Sequence, residues 1–109
     1  MDVYTSIIGK NTSLIEDITI SVPGDHVCLR CIYDPQGQQK KYKLIFRRCR
    51  EAKWSILESS EIDPKYADLL GITWEMNGNN RKSSIITTDL FELFIDYDEM
   101  DIEWDNDNR

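Results

Sequence analysis

Apolar side chains in this chain recur at every second position in short runs, and clusters of Pro, Gly, Asn and Asp separate one run from the next. That spacing constrains the fold strongly, because successive residues of a strand point to opposite faces whereas an amphipathic helix repeats at three and four. From Leu14 to Val22, residues Leu14, Ile18, Ile20 and Val22 share one face and Ile15, Asp17, Thr19 and Ser21 the other. Pro23-Gly24-Asp25 supplies turn chemistry, after which Val27, Leu29, Cys31 and Tyr33 resume the alternation as far as Asp34-Pro35-Gln36-Gly37. Tyr42, Leu44 and Phe46 form a third run, and Ala52, Trp54 and Ile56 continue its parity. Between them stands Arg47-Arg48-Cys49-Arg50-Glu51. In one unbroken strand Arg48 and Arg50 would enter the core beside Phe46 and Trp54 without partners, which is costly, so a turn or bulge is expected there.

One short helix is expected after this. Asp63 suits an N-cap, Pro64 the first helical position, Tyr66 and Leu69 or Leu70 fall at helical spacing, and Gly71 suits the C-terminal end. Ile72, Trp74 and Met76 then alternate into Asn77-Gly78-Asn79-Asn80, a tight-turn signal, with Arg81 to Thr88 as the hairpin partner and Ile86 or Ile85 facing inward. Finally Phe91, Leu93, Ile95 and Tyr97 occupy odd positions, whereas Met100, Ile102 and Trp104 occupy even ones. Two strands sharing one core can switch parity at Asp98-Glu99 only through a turn or a bulge. The fold expected is all-β, an antiparallel sandwich or barrel of about seven to eight short strands with one short helix. A β-rich α+β fold is the alternative if residues 1–13 or 58–70 are helical. Residues 1–104 are expected to form a single domain and residues 105–109 a loose end.

Charge is distributed unevenly. From Asp89 to Arg109 there are nine carboxylates and one arginine, net −8; the other residues carry twelve bases and eleven acids, net +1, for the overall −7. An acidic face favours cationic partners and disfavours nucleic acid. The start of the sequence has no basic, apolar leader pattern and no run approaches a membrane-spanning length, so a cytoplasmic protein without membrane association is expected. Three cysteines, an odd number, argue for reduced thiols over a disulfide framework.

No motif assembles a catalytic or cofactor site. Cys28-x-x-Cys31 has the spacing of a metal or dithiol pair, but on a strand residues three apart face opposite ways and no second Cys pair completes a site. His26 beside Pro23-Gly24-Asp25 has no nucleophile elbow to serve and reads as a turn histidine. Ile8-Gly9-Lys10-Asn11-Thr12-Ser13 lacks the first glycine and the Gly-Lys pair of a phosphate loop. In the acidic segment, Met100 and Asp101 stand where an EF-hand needs its fifth-position carboxylate and its glycine. No catalytic residue, metal ligand or cofactor is therefore assigned, and an enzyme is not expected.

Two charged stretches remain. Lys40, Lys41, Lys43, Arg47, Arg48, Arg50 and Lys53 oppose a single Glu51; they suit either a solvated strand edge or counterions for the acidic segment. Their interleaved aromatics fall on the core side, away from any stacked base. In the acidic segment, a two-residue turn at Asp98-Glu99 would set Asp96 against Asp101, a repulsion relieved by the basic band, a cation or a partner protein, or avoided where a longer loop keeps the acids apart in water. Glu92, Asp96, Asp98, Glu99, Asp101 and Glu103 are the candidate partner-binding residues, acting as electrostatic contacts.

Tyr42-Lys43-Leu44-Ile45-Phe46, Trp54, Ile72-Thr73-Trp74 and Thr88-Asp89-Leu90-Phe91-Glu92-Leu93 form a pattern that resembles small bacterial β-rich domains of unknown function, some classed with immunity proteins of polymorphic toxin systems. The likeness spans residues 42–104 and implies a stoichiometric binding module without catalytic residues. The expected function is thus non-enzymatic binding of a basic protein partner through the acidic face, with immunity-like inhibition of a toxin as one form. A structural homodimer joining the basic band to the acidic edge is the second reading, and a divalent-cation-dependent enzyme the third.

Overall fold

The computed structural model describes residues 2–21, 25–56, 66–76, 78 and 81–105. A one-turn helix α1 (Tyr4–Ile7) precedes nine strands: β1 (Ser13–Ser21), β2 (His26–Tyr33), β3 (Lys40–Arg47), β4 (Glu51–Ile56), β5 (Ala67–Ile72), β6 (Glu75–Met76), β7 (Lys82–Thr88), β8 (Phe91–Tyr97) and β9 (Glu99–Trp104). The fold is all-β. The strands form one open antiparallel sheet in the order β4-β8-β7-β5-β1-β2-β3-β9, with β6 beside β7.

The two ends of that sheet are brought back together by the chain itself. β4 follows β3 and β9 follows β8, yet β3 pairs with β9 and β4 with β8. The segments Lys40–Ile56 and Phe91–Trp104 therefore run side by side and bend at one shared corner. The Asp98 N–H donates to the Arg47 carbonyl at 3.2 Å, and the Arg50 N–H to the Asp96 carbonyl at 2.8 Å. Folding the sheet at this corner encloses a single core, consistent with a sandwich.

Most inward positions match the alternation. Val27, Leu29 and Cys31, Tyr42, Leu44 and Phe46, and Phe91, Leu93, Ile95 and Tyr97 are all buried. Phe46 meets Tyr97 edge-on across the corner, with ring centroids 4.9 Å apart. The parity switch is real but is no hairpin turn: Tyr97 is buried, Asp98 makes the corner, and Met100 and Ile102 pack on the core from a strand that pairs elsewhere. Asp96 consequently lies opposite Glu51 and Ser83, and Asp101 opposite Ile45; the two acids are not set against each other. The expected break between β3 and β4 falls at Arg48, whose φ of 55° turns the chain outward.

Three expectations are corrected. A bulge at Glu16, between Ile15 and Asp17, reverses the parity of β1, so Ile15 and not Leu14 is buried on the face that Ile18 partly covers. Residues 67–72 are strand β5, not helix; Ala67, Leu69 and Ile72 are buried, and a shift between Leu69 and Gly71 mimics helical spacing. The proposed cap residues Asp63 and Pro64 lie outside the described residues, as do Val22, Pro23 and Gly24. Among the described residues the one helix is α1. Lastly, Ala52, Trp54 and Ile56 share a face as expected but do not enter the core: all of β4 is exposed. Ile86 points inward and Ile85 outward. The Ile72-Trp74-Met76 run splits into β5 and β6, and β6 forms the expected hairpin ladder with β7.

Polar groups in the interior pair with one another. The Tyr42 hydroxyl donates to Ser13 Oγ at 2.8 Å, which lies 2.8 Å from the Tyr4 hydroxyl, and Tyr4 donates to the Asn11 carbonyl at 2.6 Å. No helix among the described residues is long and apolar enough to cross a membrane.

Candidate functional site

The corner gathers most of the charge singled out in the sequence. β8 delivers Asp96, the turn delivers Asp98, and β9 delivers Glu99 and Asp101. Facing them, the β3–β4 bend delivers Arg47, Arg48 and Arg50. Arg50 reaches Asp98 at 2.5 Å and Asp96 at 3.2 Å; Arg48 reaches Asp98 and Glu99, both at 3.1 Å; Arg47 pairs with Asp101. The left-handed backbone at Arg48 projects these guanidiniums toward the neighbouring segment and away from the core. Arg48 and Arg50 hold the Asp98 carboxyl below the usual carboxylate range, Arg50 contributing most. The three arginines of the basic band thus pair with the acidic segment within one chain.

Two further cations come from β7 and its approach. Arg81 donates to Asp96 at 2.6 Å, and Lys82 to the Asp98 carbonyl at 2.8 Å. Asp96 sits on the outer face of β8 yet is only 6 % exposed, because Arg50 and Arg81 lie over it. Sequence reasoning missed Arg81 and Lys82. Their separation from Asp96 has no meaning until the β7–β8 register sets Lys82 opposite Tyr97 and Ser83 opposite Asp96.

The six candidate residues therefore divide. Asp96 and Asp98 are tied into the corner. Glu99, Asp101 and Glu103 alternate along the outer face of β9, all exposed, and β9 ends the sheet with only β3 beside it among the described residues. Alternate strand residues lie about 7 Å apart, so these carboxylates form a row along an edge. Glu103 stands opposite Lys43. Glu92 is separate: it lies between Ser55 and Thr87 and rims a shallow depression of about 270 Å³ floored by Ile85 and Phe94. The basic band divides as well. β3 is an interior strand, not an edge, and only β4, carrying Lys53, lies at the opposite end of the sheet.

The β4 end has a different character. Trp54 is 51 % exposed and stacks on Phe91 with ring centroids 4.3 Å apart; Ile56 is 68 % exposed. Trp54, Phe91, Leu90, Tyr66, Ile18 and Ile15 line an open groove of about 270 Å³. In the sequence, Ala52-x-Trp54-x-Ile56 cannot be told from a core strand, which is why this surface was not anticipated.

The thiols are separated. Cys31 is buried in the core, which pushes its pKa up to about 12, while Cys28 faces the other side of β2 and Cys49 sits at the corner. Burial also raises Cys28 and Cys49, so all three favour the protonated form near neutrality. His26 Nδ1 lies 2.9 Å from Asp25 Oδ1 at the start of β2. Among the described residues no three His, Cys, Asp or Glu side chains converge as a metal site.

No family model and no curated protein matches this chain. Its fold is similar to that in a crystal structure of an uncharacterized protein from Neisseria gonorrhoeae: TM-score 0.55, 15 % identity, covering 88 % of this chain and 93 % of that one. At that identity the likeness concerns the fold alone.

Proposed function

We propose that this is a cytoplasmic, non-enzymatic binding protein that engages a basic protein surface through the β9 edge. The observation that carries the reading is the row of Glu99, Asp101 and Glu103 on an exposed strand at the end of the sheet, in a chain of net charge −7. The exposed pairs that Glu99 and Asp101 make with Arg48 and Arg47 are of a kind that contributes little, so a partner's cations can exchange with them. Long-range attraction would speed the encounter and salt would slow it. Asp96 and Asp98 support the edge in this reading and do not contact the partner. Immunity-like inhibition of a toxin, implied by the sequence resemblance, is the specific form proposed. A homodimer joining one copy's basic band to another's acidic segment is disfavoured, since it would have to break the pairs Arg50 makes with the shielded Asp96 and with Asp98.

The test is affinity capture in the native host with the unaltered chain and with a Glu99→Lys/Asp101→Lys/Glu103→Lys chain. A basic protein held by the first and lost by the second supports the reading. Equal capture by both refutes the edge, and capture of no basic protein refutes the function.

A further inference from the structure

We propose that β4 is a self-association edge, and that a second copy of this chain adds its own β4 antiparallel to it with Trp54 on the two-fold axis. Three features of β4 lead there. Among the described residues it pairs only with β8, and every residue of it is exposed. Its protection as an edge is limited to the charges of Glu51 and Lys53: Glu51–Ile56 contains no Pro, no Gly and no bulge, whereas the opposite edge, β9, carries a carboxylate at every second position. And its apolar residues prolong the core face beyond its cover. Ala52, Trp54 and Ile56 stand opposite Ile95, Leu93 and Phe91, all buried, but are themselves exposed.

The pattern of the strand is its own complement about Trp54. With Trp54 opposite Trp54 of the second copy, Ala52 falls opposite Ile56 and Lys53 opposite Ser55, so apolar meets apolar and no like charges meet. Centring on Lys53 would oppose two ammonium groups. Centring on Ala52 would oppose Trp54 to Arg50, whose guanidinium is held by Asp96 and Asp98. A basic partner of the kind proposed for β9 would meet Lys53 here. The two edges thus suit different occupants, and this inference does not depend on the reading of β9.

Sedimentation velocity across a wide concentration range tests the proposal, with Ser55 as the reporter, because its position outside the core leaves the fold intact. In a Glu92→Gln background, which removes the charge opposite Ser55 on β8, Ser55→Glu sets a carboxylate opposite Lys53 twice per dimer and is expected to tighten association roughly fivefold; Ser55→Lys is expected to weaken it by a similar factor. Trp54→Glu, which opposes two carboxylates on the axis, should leave a monomer whose circular dichroism remains that of the folded sheet. A monomer at every concentration overturns the proposal. So does a dimer indifferent to the charge at position 55, which would place the contact elsewhere.

Discussion

Replacing Asp96 with alanine tests whether the corner holds the sheet closed. The carboxylate accepts from Arg81 at 2.6 Å and from Arg50 at 3.2 Å, and its side chain is 9 % exposed. A hydrogen bond to a charged group contributes roughly 1.5–3 kcal/mol when well shielded. Here the Arg81 and Arg50 side chains are 52 % and 37 % exposed, so water recovers part of each loss. About 1 kcal/mol per contact, and about 2 kcal/mol in total, is the expected cost. For a domain of this size that lowers the melting temperature by roughly 10 °C. Urea unfolding at neutral pH gives the direct measure: the midpoint should fall with an unchanged slope, since the surface exposed on unfolding stays the same. A cycle with Arg81→Ala should show a coupling of about 0.5–1 kcal/mol. A loss below about 0.5 kcal/mol, or no coupling, would refute the corner as a structural clasp and return Asp96 to the set of candidate partner contacts.

Asp98 makes stability depend on pH. Its folded pKa is depressed by Arg50 and Arg48, so its contribution is present above the unfolded value near about 4 and is lost as pH falls through the lower folded value. Asp98→Asn should flatten the acid limb of a plot of urea midpoint against pH, and an unchanged limb would contradict the assignment. In the core, Ser13→Ala removes the acceptor of the Tyr42 hydroxyl and one partner of the Tyr4 hydroxyl, which keeps the Asn11 carbonyl, and should cost about 1–3 kcal/mol, whereas Tyr42→Phe leaves Ser13 its contact with Tyr4 and should cost less. Thermal melts of the two variants in the opposite order would refute this account of the hydroxyl chain.

The alternation alone specified much of the fold. Runs such as Val27-Leu29-Cys31, Tyr42-Leu44-Phe46 and Phe91-Leu93-Ile95-Tyr97 could satisfy their hydrophobic pattern only as strands with those residues inward, and all ten are buried. The same logic demanded breaks at Arg48 and Asp98, because an arginine pair could not enter the core and parity cannot change along an unbroken strand. It also separated Cys28 from Cys31. Tertiary structure decided what those breaks do. Periodicity is local to one segment and carries no information about which strand lies alongside, so the convergence of both breaks on one corner, and the role of Arg81 there, appeared only with the β3–β9, β4–β8 and β7–β8 registers. Burial is likewise a property of layers. Trp54 and Phe46 have the same sequence pattern, but Phe46 is fully buried and Trp54 is half exposed, and that difference turned an apparent core strand into an exposed edge.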